Sequence, residues 1–184
     1  MSIQARWIVF LTLVAGTAIG AAEASEWQLV QDSSNVRFIG VQEGSAFRGR
    51  FESFSAVIDF DPGKPTAGKI IGVVKMDSAR SGDAERDATL LEEDWFDPQN
   101  HPESRFESER VEQLADGTFA AHGQLTIVGI SQPVTMSFEF EVAETTAHFS
   151  GSFDIKRLEF GVGWDSTNWI DDEVGVQVEL DLQQ

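Results

Sequence analysis

Three histidines, His101, His122 and His148, are the first side chains to test for chemistry, because imidazole moves protons near neutral pH and ligates metals. None lies at ligand spacing from another histidine, and the chain has no cysteine. A zinc site is therefore poorly supported, and disulfides and thiol nucleophiles are excluded. Serines are plentiful, yet no Gly-x-Ser-x-Gly elbow occurs; Gly44-Ser45 and Gly151-Ser152 lack the rest of it. The acidic runs Glu92-Glu93-Asp94 and Asp171-Asp172-Glu173 do not follow the alternating ligand spacing of a calcium loop, and Gly161-Val162-Gly163 is too short for a phosphate loop. A hydrolase or isomerase acting on a lipid-like substrate would have to draw on Asp165, Asn168 and His101, whose spacing does not form a catalytic set. The sequence points away from catalysis and toward binding.

What remains is a set of apolar side chains and the elements that place them. The 184 residues include 14 Phe and 5 Trp but no Tyr, so the aromatic content is almost wholly apolar. Thirteen Lys and Arg against 31 Asp and Glu give a net charge of −18. A surface of that sign repels a nucleic-acid backbone, and no nucleic-acid partner is expected.

Alternation with a period of two dominates the chain. Val134, Met136, Phe138, Phe140 and Val142 share one face of a strand, with Thr135, Ser137, Glu139 and Glu141 on the other. The pattern recurs with Ala147, Phe149, Gly151, Phe153 and Ile155, with the valines and leucines of 174–182, and more weakly over 119–127. Residues 36–41 and 70–76 also read as strands. Between them Phe47, Gly49 and Phe51 alternate in one phase, and Phe54, Ala56, Ile58 and Phe60 in the other. A phase slip at Glu52-Ser53 predicts a β-bulge there. One segment, 83–93, reads as a short helix, stopped by Pro98 and Pro102. The fold class is all-β, antiparallel, with about eight strands and one apolar inner face; by alternation alone a sandwich and a barrel fit equally.

Residues 1–24 are set apart. Arg6 precedes an uncharged run over 7–20, and Ala22-Glu23-Ala24 has the small-x-small pattern of a signal peptidase site. The run, about 14 residues, falls short of the roughly 20 that span a bilayer. We expect a cleavable signal peptide (1–24, cut after Ala24), export, one domain over 25–184, and no stable membrane insertion; a periplasmic destination is implied only by the family resemblance that follows.

Several separated stretches also resemble the YceI family of exported proteins. They are Arg86-Asp87-x-x-Leu90 with Asp94-Trp95-Phe96-Asp97 and His101-Pro102; Gly123-x-Leu125-Thr126-Ile127-x-Gly129-Ile130-Ser131-x-Pro133-Val134; and Phe160-Gly161-Val162-Gly163-Trp164 with Asp172-Glu173-Val174. Trp27, Asp32-Ser33 and Gly49-x-Phe51-x-x-Phe54 complete the pattern. The resemblance implies an extended, eight-stranded, lipocalin-like barrel with a long apolar pore. It also implies a non-enzymatic carrier whose partner is an apolar lipid with a polyisoprenoid tail, such as a prenyl diphosphate or a quinone, with no other cofactor. On that basis the tail-binding candidates are Phe38, Phe54, Ile58, Val74, Leu125, Phe138, Phe149, Phe153 and Trp164. Arg86 is the candidate for a charged head group or, equally, for an ion pair with Asp87 or Asp94. Inward small residues (Gly49, Ala56, Gly72, Gly123, Ala147 and Gly151) are expected to make room for the tail. An elongated barrel is compatible with a homodimer. A stress-related interaction protein would need an exposed apolar patch, whereas the outward phases are polar.

Overall fold

The computed structural model describes residues 26–163 and 167–184. Its strands are β1 (Glu26–Gln42), β2 (Ser45–Phe51), β3 (Phe54–Asp59), β4 (Lys69–Lys75), β5 (Ala79–Arg80), β6 (Glu103–Gln113), β7 (Phe119–Ile127), β8 (Ile130–Ala143), β9 (Thr146–Lys156) and β10 (Glu173–Gln183), with one helix, α1 (Ala84–Leu90). All pair antiparallel in a single sheet, and β1 meets β10 to close it into a barrel. The ten segments make eight staves. β2 and β3 are one stave bent at Glu52-Ser53, and β4 and β5 another, bent at the 3-10 turn Met76–Ser78.

The phase slip at Glu52-Ser53 is therefore a corner, not a bulge within a ladder. Ser78 stitches it: Glu52 N–H donates to the Ser78 carbonyl at 3.0 Å, Ser53 N–H donates to Ser78 Oγ at 3.1 Å, and Ser78 Oγ–H donates to the Lys75 carbonyl at 2.6 Å. Register breaks occur elsewhere, between Val30 and Asn35 of β1 and between Ser108 and Arg110 of β6. At the second break Ser108 Oγ accepts from the buried Ile70 N–H at 2.8 Å, replacing a ladder bond. The β7–β8 connection is a two-residue turn, with Val128 and Gly129 at φ 48° and 75°, the handedness that matches strand twist. Asp83 caps α1 by accepting from the Glu85 and Arg86 amides, and those bonds, Arg86 first, hold its carboxyl below the usual range.

Two strands differ from expectation. β6 is absent from the sequence reading because its inward positions are Ser104, Phe106 and Ser108, and a buried serine hides the alternation. β1 starts at Glu26 rather than Val36, since the register break at 30–35 interrupts its period.

One end of the barrel is filled by aromatic rings. Phe60 lies edge-on to Phe119, Phe138 and Phe140, with centroids 5.0, 5.3 and 5.0 Å away, and Phe138 stacks on Phe149 at 4.8 Å. Trp27 seals the base, its indole N–H donating to the Phe60 carbonyl at 3.0 Å. Gly151 belongs to this packing: a Cβ there would lie 2.8 Å from Phe149 Cε1. Two outcomes follow. Phe60→Ala should destabilise the barrel by about 3–5 kcal/mol in chemical denaturation, the range for emptying a packed phenylalanine site.

The second concerns the outer face, where His148 Nδ1 lies 2.8 Å from the Asp181 carboxylate and Nε2 lies 3.1 Å from that of Glu179. The hydrogen bond to Asp181, aided by that with Glu179 and opposed by partial burial, raises the imidazole above its ordinary 6.5. Because the folded value is the higher one, the gain is complete below pH 6.5 and vanishes as pH rises through the folded value. Denaturation midpoints should therefore fall between pH 6 and pH 8 more steeply for the wild type than for His148→Gln, by no more than the ~0–1 kcal/mol of an exposed ion pair.

Candidate ligand-binding cavity

Above the aromatic plug the interior is hollow. Neighbouring strands face it with small residues where the plug has rings: Ala56 of β3 sits directly opposite Gly72 of β4, and a Cβ built on Gly72 meets nothing within 4 Å. Inward side chains here keep part of their surface uncovered. Phe153 and Ile155 of β9 and Val174, Val176 and Val178 of β10 are half-buried although they point into the barrel. The cavity volume is about 170 Å³. Phe106 and Phe153 stack with centroids 6.3 Å apart, and Phe38 packs on Phe51 at 5.4 Å.

Residues outside the sheet cover the upper end. α1 contributes buried Leu90, and the segment that follows brings Trp95 and Phe96 over the opening, with Phe96 6.2 Å from Phe51. From the β9–β10 connection come Val162 and Ile170. Arg157 holds that connection in place. Its Nε donates to the Asp171 carbonyl at 3.1 Å, Nη1 to Val162 at 2.8 Å and Nη2 to Ile170 at 2.9 Å, and its guanidinium lies 5.7 Å from the Trp95 ring centre. Burial lowers its pKa, while the charge of Asp172 works in the opposite direction. Among the described residues, Arg157, Ser55 and Ser104 are the polar side chains of the lining apart from the Trp95 indole. A buried cation already bonded to three carbonyls closes a loop; it does not make the cavity polar.

Of the sequence-predicted residues, Phe38, Phe54, Ile58, Val74, Leu125, Phe149 and Phe153 line this one cavity. Phe138 does not line it; the ring is behind Phe149 in the plug. Arg86 also stands outside the lining. Its Nε donates to Gln42 Oε1 at 2.9 Å and Nη1 to Ser81 Oγ at 3.2 Å, and its guanidinium covers the Phe47 ring at 4.2 Å. Neither Asp87 nor Asp94 is within ion-pair distance of it; Asp87 instead accepts from the Ser81 backbone N–H and Oγ–H. Trp164 and Asp165 lie outside the described residues, and His101 and Asn168 do not line the cavity. Among the small residues, Ala56 and Gly72 open onto it. Gly49, Gly123 and Gly151 instead allow close packing: a Cβ on Gly49 would meet Phe38 Cζ at 2.1 Å, and one on Gly123 the Glu107 carbonyl at 2.2 Å. Sequence reasoning missed Phe106, Trp95, Phe96 and Arg157 as lining residues. The unread strand β6 concealed Phe106, and the other three come from irregular segments with no period to betray them.

Among the described residues no group of three or more His, Asp or Glu is placed to hold a metal ion, and no helix is long and apolar enough to cross a membrane.

The YceI-like domain model matches residues 27–182. A UPF0312 protein of Pseudomonas putida is 31% identical over 140 residues, 71% of each chain. Among solved structures, Burkholderia cenocepacia BcnA superposes with a TM-score of 0.80 at 29% identity, over 84% of this chain and 99% of that one. The Campylobacter jejuni YCEI protein gives 0.70 at 28% identity, over 76% and 86%. A polyisoprenoid binding domain from Saccharophagus degradans shares the fold with a TM-score of 0.66 at 14% identity, over 86% and 97%. With the family model spanning the barrel from Trp27 at its base to Leu182 on its closing strand, this chain belongs to the YceI-like domain family.

Proposed function

We propose that this protein is a non-enzymatic carrier that sequesters an apolar amphiphile, a lipid with an isoprenoid tail such as a prenyl diphosphate or a quinone, inside its barrel. The observation that carries this reading is the cavity: hydrocarbon-walled over most of its length, with Arg157 the one charged side chain among the described lining residues and three of its hydrogen bonds spent on backbone carbonyls. Each methylene transferred from water into such walls gains roughly 0.8 kcal/mol, so a chain of isoprene units is the kind of ligand it favours. The polyisoprenoid binding named for the Saccharophagus degradans domain supports an isoprenoid tail in a barrel of this architecture. The plug of Phe60, Phe119, Phe138 and Phe140 sets the depth, so the tail enters from the end covered by Trp95 and Phe96. Removal of residues 1–24 as a signal peptide would place the carrier in the periplasm, where a soluble shell for an insoluble tail has a use. Among the described residues no histidine or acidic side chain lines the cavity, which favours carriage over hydrolysis or isomerisation.

Native mass spectrometry of the protein as isolated from its own host, followed by solvent extraction, should give a stoichiometric adduct that extracts as a prenyl lipid. A bare mass together with no uptake of added geranylgeraniol or a quinone would overturn the carrier reading. The cavity itself is tested by Gly72→Trp, whose side chain would enter open space. Geranylgeraniol binding should weaken by about tenfold or more, equivalent to losing two buried methylenes, with little change in thermal stability. Gly151→Leu should do the reverse, lowering stability through its clash with Phe149. Normal binding by the Gly72 variant would remove the tail from this cavity.

A further inference from the structure

The outer wall of β1, β2 and β5 carries an arrangement at odds with the rest of this acidic chain. Arg37 of β1 lies directly opposite Arg50 of β2, and Arg50 directly opposite Arg80 of β5, so three arginines form a row across three neighbouring strands. Arg48, two residues from Arg50, points outward from the same strand. Like charges facing one another across a sheet destabilise it. Among the described residues Glu52 is the one carboxylate within ion-pair distance of the four; it lies 2.6 Å from Arg50 and 3.6 Å from Arg80. Arg37 and Arg48 are exposed and make no side-chain hydrogen bond or ion pair there, and across β10 the neighbour of Arg37 is the neutral Gln177. A chain of net charge −18 thus gathers four of its 13 basic residues on one face and leaves the patch short of acids.

The place matters as much as the charge. Along β2 the arginines alternate with the cavity lining: Phe47 and Phe51 point inward, Arg48 and Arg50 outward. β2 pairs with β5 only at Arg50 and Phe51, so 45–49 has a neighbouring strand on one side alone, and the wall at the covered end of the cavity stops being continuous sheet there. The arginine row therefore stands on the strand that edges the opening.

We infer that this row is a docking surface for an anionic phospholipid bilayer, which brings the opening of the cavity to the membrane from which a lipid ligand is taken or to which it is given. The inference rests on the carrier reading for the nature of the cargo. Charge supplies the orientation: an anionic surface repels the acidic faces and attracts this one, so the barrel meets the membrane with β2 toward it. The ion pairs with Glu52 leave a surplus of positive charge, which is what phosphate head groups recognise.

The test is vesicle flotation with the full mature chain. Wild type should float with phosphatidylcholine vesicles containing phosphatidylglycerol, not with phosphatidylcholine alone, and should be released by 0.5 M salt, where charges beyond a few ångströms are screened. Arg37→Gln/Arg48→Gln/Arg50→Gln should partition roughly tenfold or more weakly, given the contribution of each basic residue near an anionic surface. Arg105→Gln/Arg110→Gln, which removes basic charge from the outward face of β6, should float as wild type does. Thermal unfolding of the triple variant should be unchanged or shifted upward, because repulsion is relieved. Failure of the wild type to float, or equal flotation of the triple variant, would overturn the docking surface, and in that case the row would answer to an acidic protein instead. Geranylgeraniol binding measured without vesicles separates the two readings. If it persists while flotation fails, docking alone is lost; if it is absent while flotation succeeds, the carrier reading is lost.

Discussion

Closure of the barrel rests on β1, a 17-residue strand that hydrogen-bonds to three partners. Its N-terminal end pairs with β3, its C-terminal half with β2, and residues 28–30 and 35–39 with β10. A sheet becomes a barrel only when its first strand meets its last, because any unpaired edge would leave a row of backbone donors and acceptors open to water or to another chain. The register break between Val30 and Asn35 lets the strand bend far enough to serve all three. There the Ser34 hydroxyl donates to the Val30 carbonyl at 2.8 Å and accepts from the Asp181 N–H at 2.9 Å, which keeps the ladder satisfied through the bend. The corner in the β2–β3 stave answers the same need on the neighbouring side.

Once closed, eight staves enclose a fixed interior, and the distribution of side-chain volume decides what is done with it. Phenylalanines concentrated at one end fill it with rings at edge and stacking distances. At the other end the facing positions are Ala56 and Gly72, valines of β10, and the rings of Phe38, Phe106 and Phe153. The same alternating pattern thus yields a packed core and an apolar cavity in one barrel. The opening is lined by residues from outside the sheet, held by an arginine that donates to three backbone carbonyls. Arg157 ties the connection down over an apolar interior: one buried side chain satisfies three of its backbone carbonyls.

Charge is organised on a separate level from packing. Outward positions are mostly polar with an excess of acids, and histidine and arginine pairs are distributed among them. The row of Arg37, Arg50 and Arg80 breaks that distribution across β1, β2 and β5, beside the part of β2 that has a neighbouring strand on one side alone. Packing and electrostatics therefore single out the same end of the molecule by independent routes.

The all-β class, most of the strands and the helix near 84–90 are legible in the sequence, because a two-residue period and a run of helix-forming residues are local properties. Seven of the nominated tail-binding residues share one cavity for the same reason: alternation assigns a side chain to the inner face whatever the fold. Height along the barrel is a different matter, since it depends on strand stagger, which is set between strands. Only the tertiary structure shows that Phe138 is plug while Phe153 is wall, that Gly151 gives way to a ring while Gly72 opens onto space, and that Arg86 covers Phe47 outside the cavity. The strand β6 escaped notice because buried serines erase the hydrophobic period, and Trp95, Phe96 and Arg157 because irregular backbone has no period to read. Local pattern determined which way side chains face; closure and stagger decided which of them meet, and where the interior stays empty.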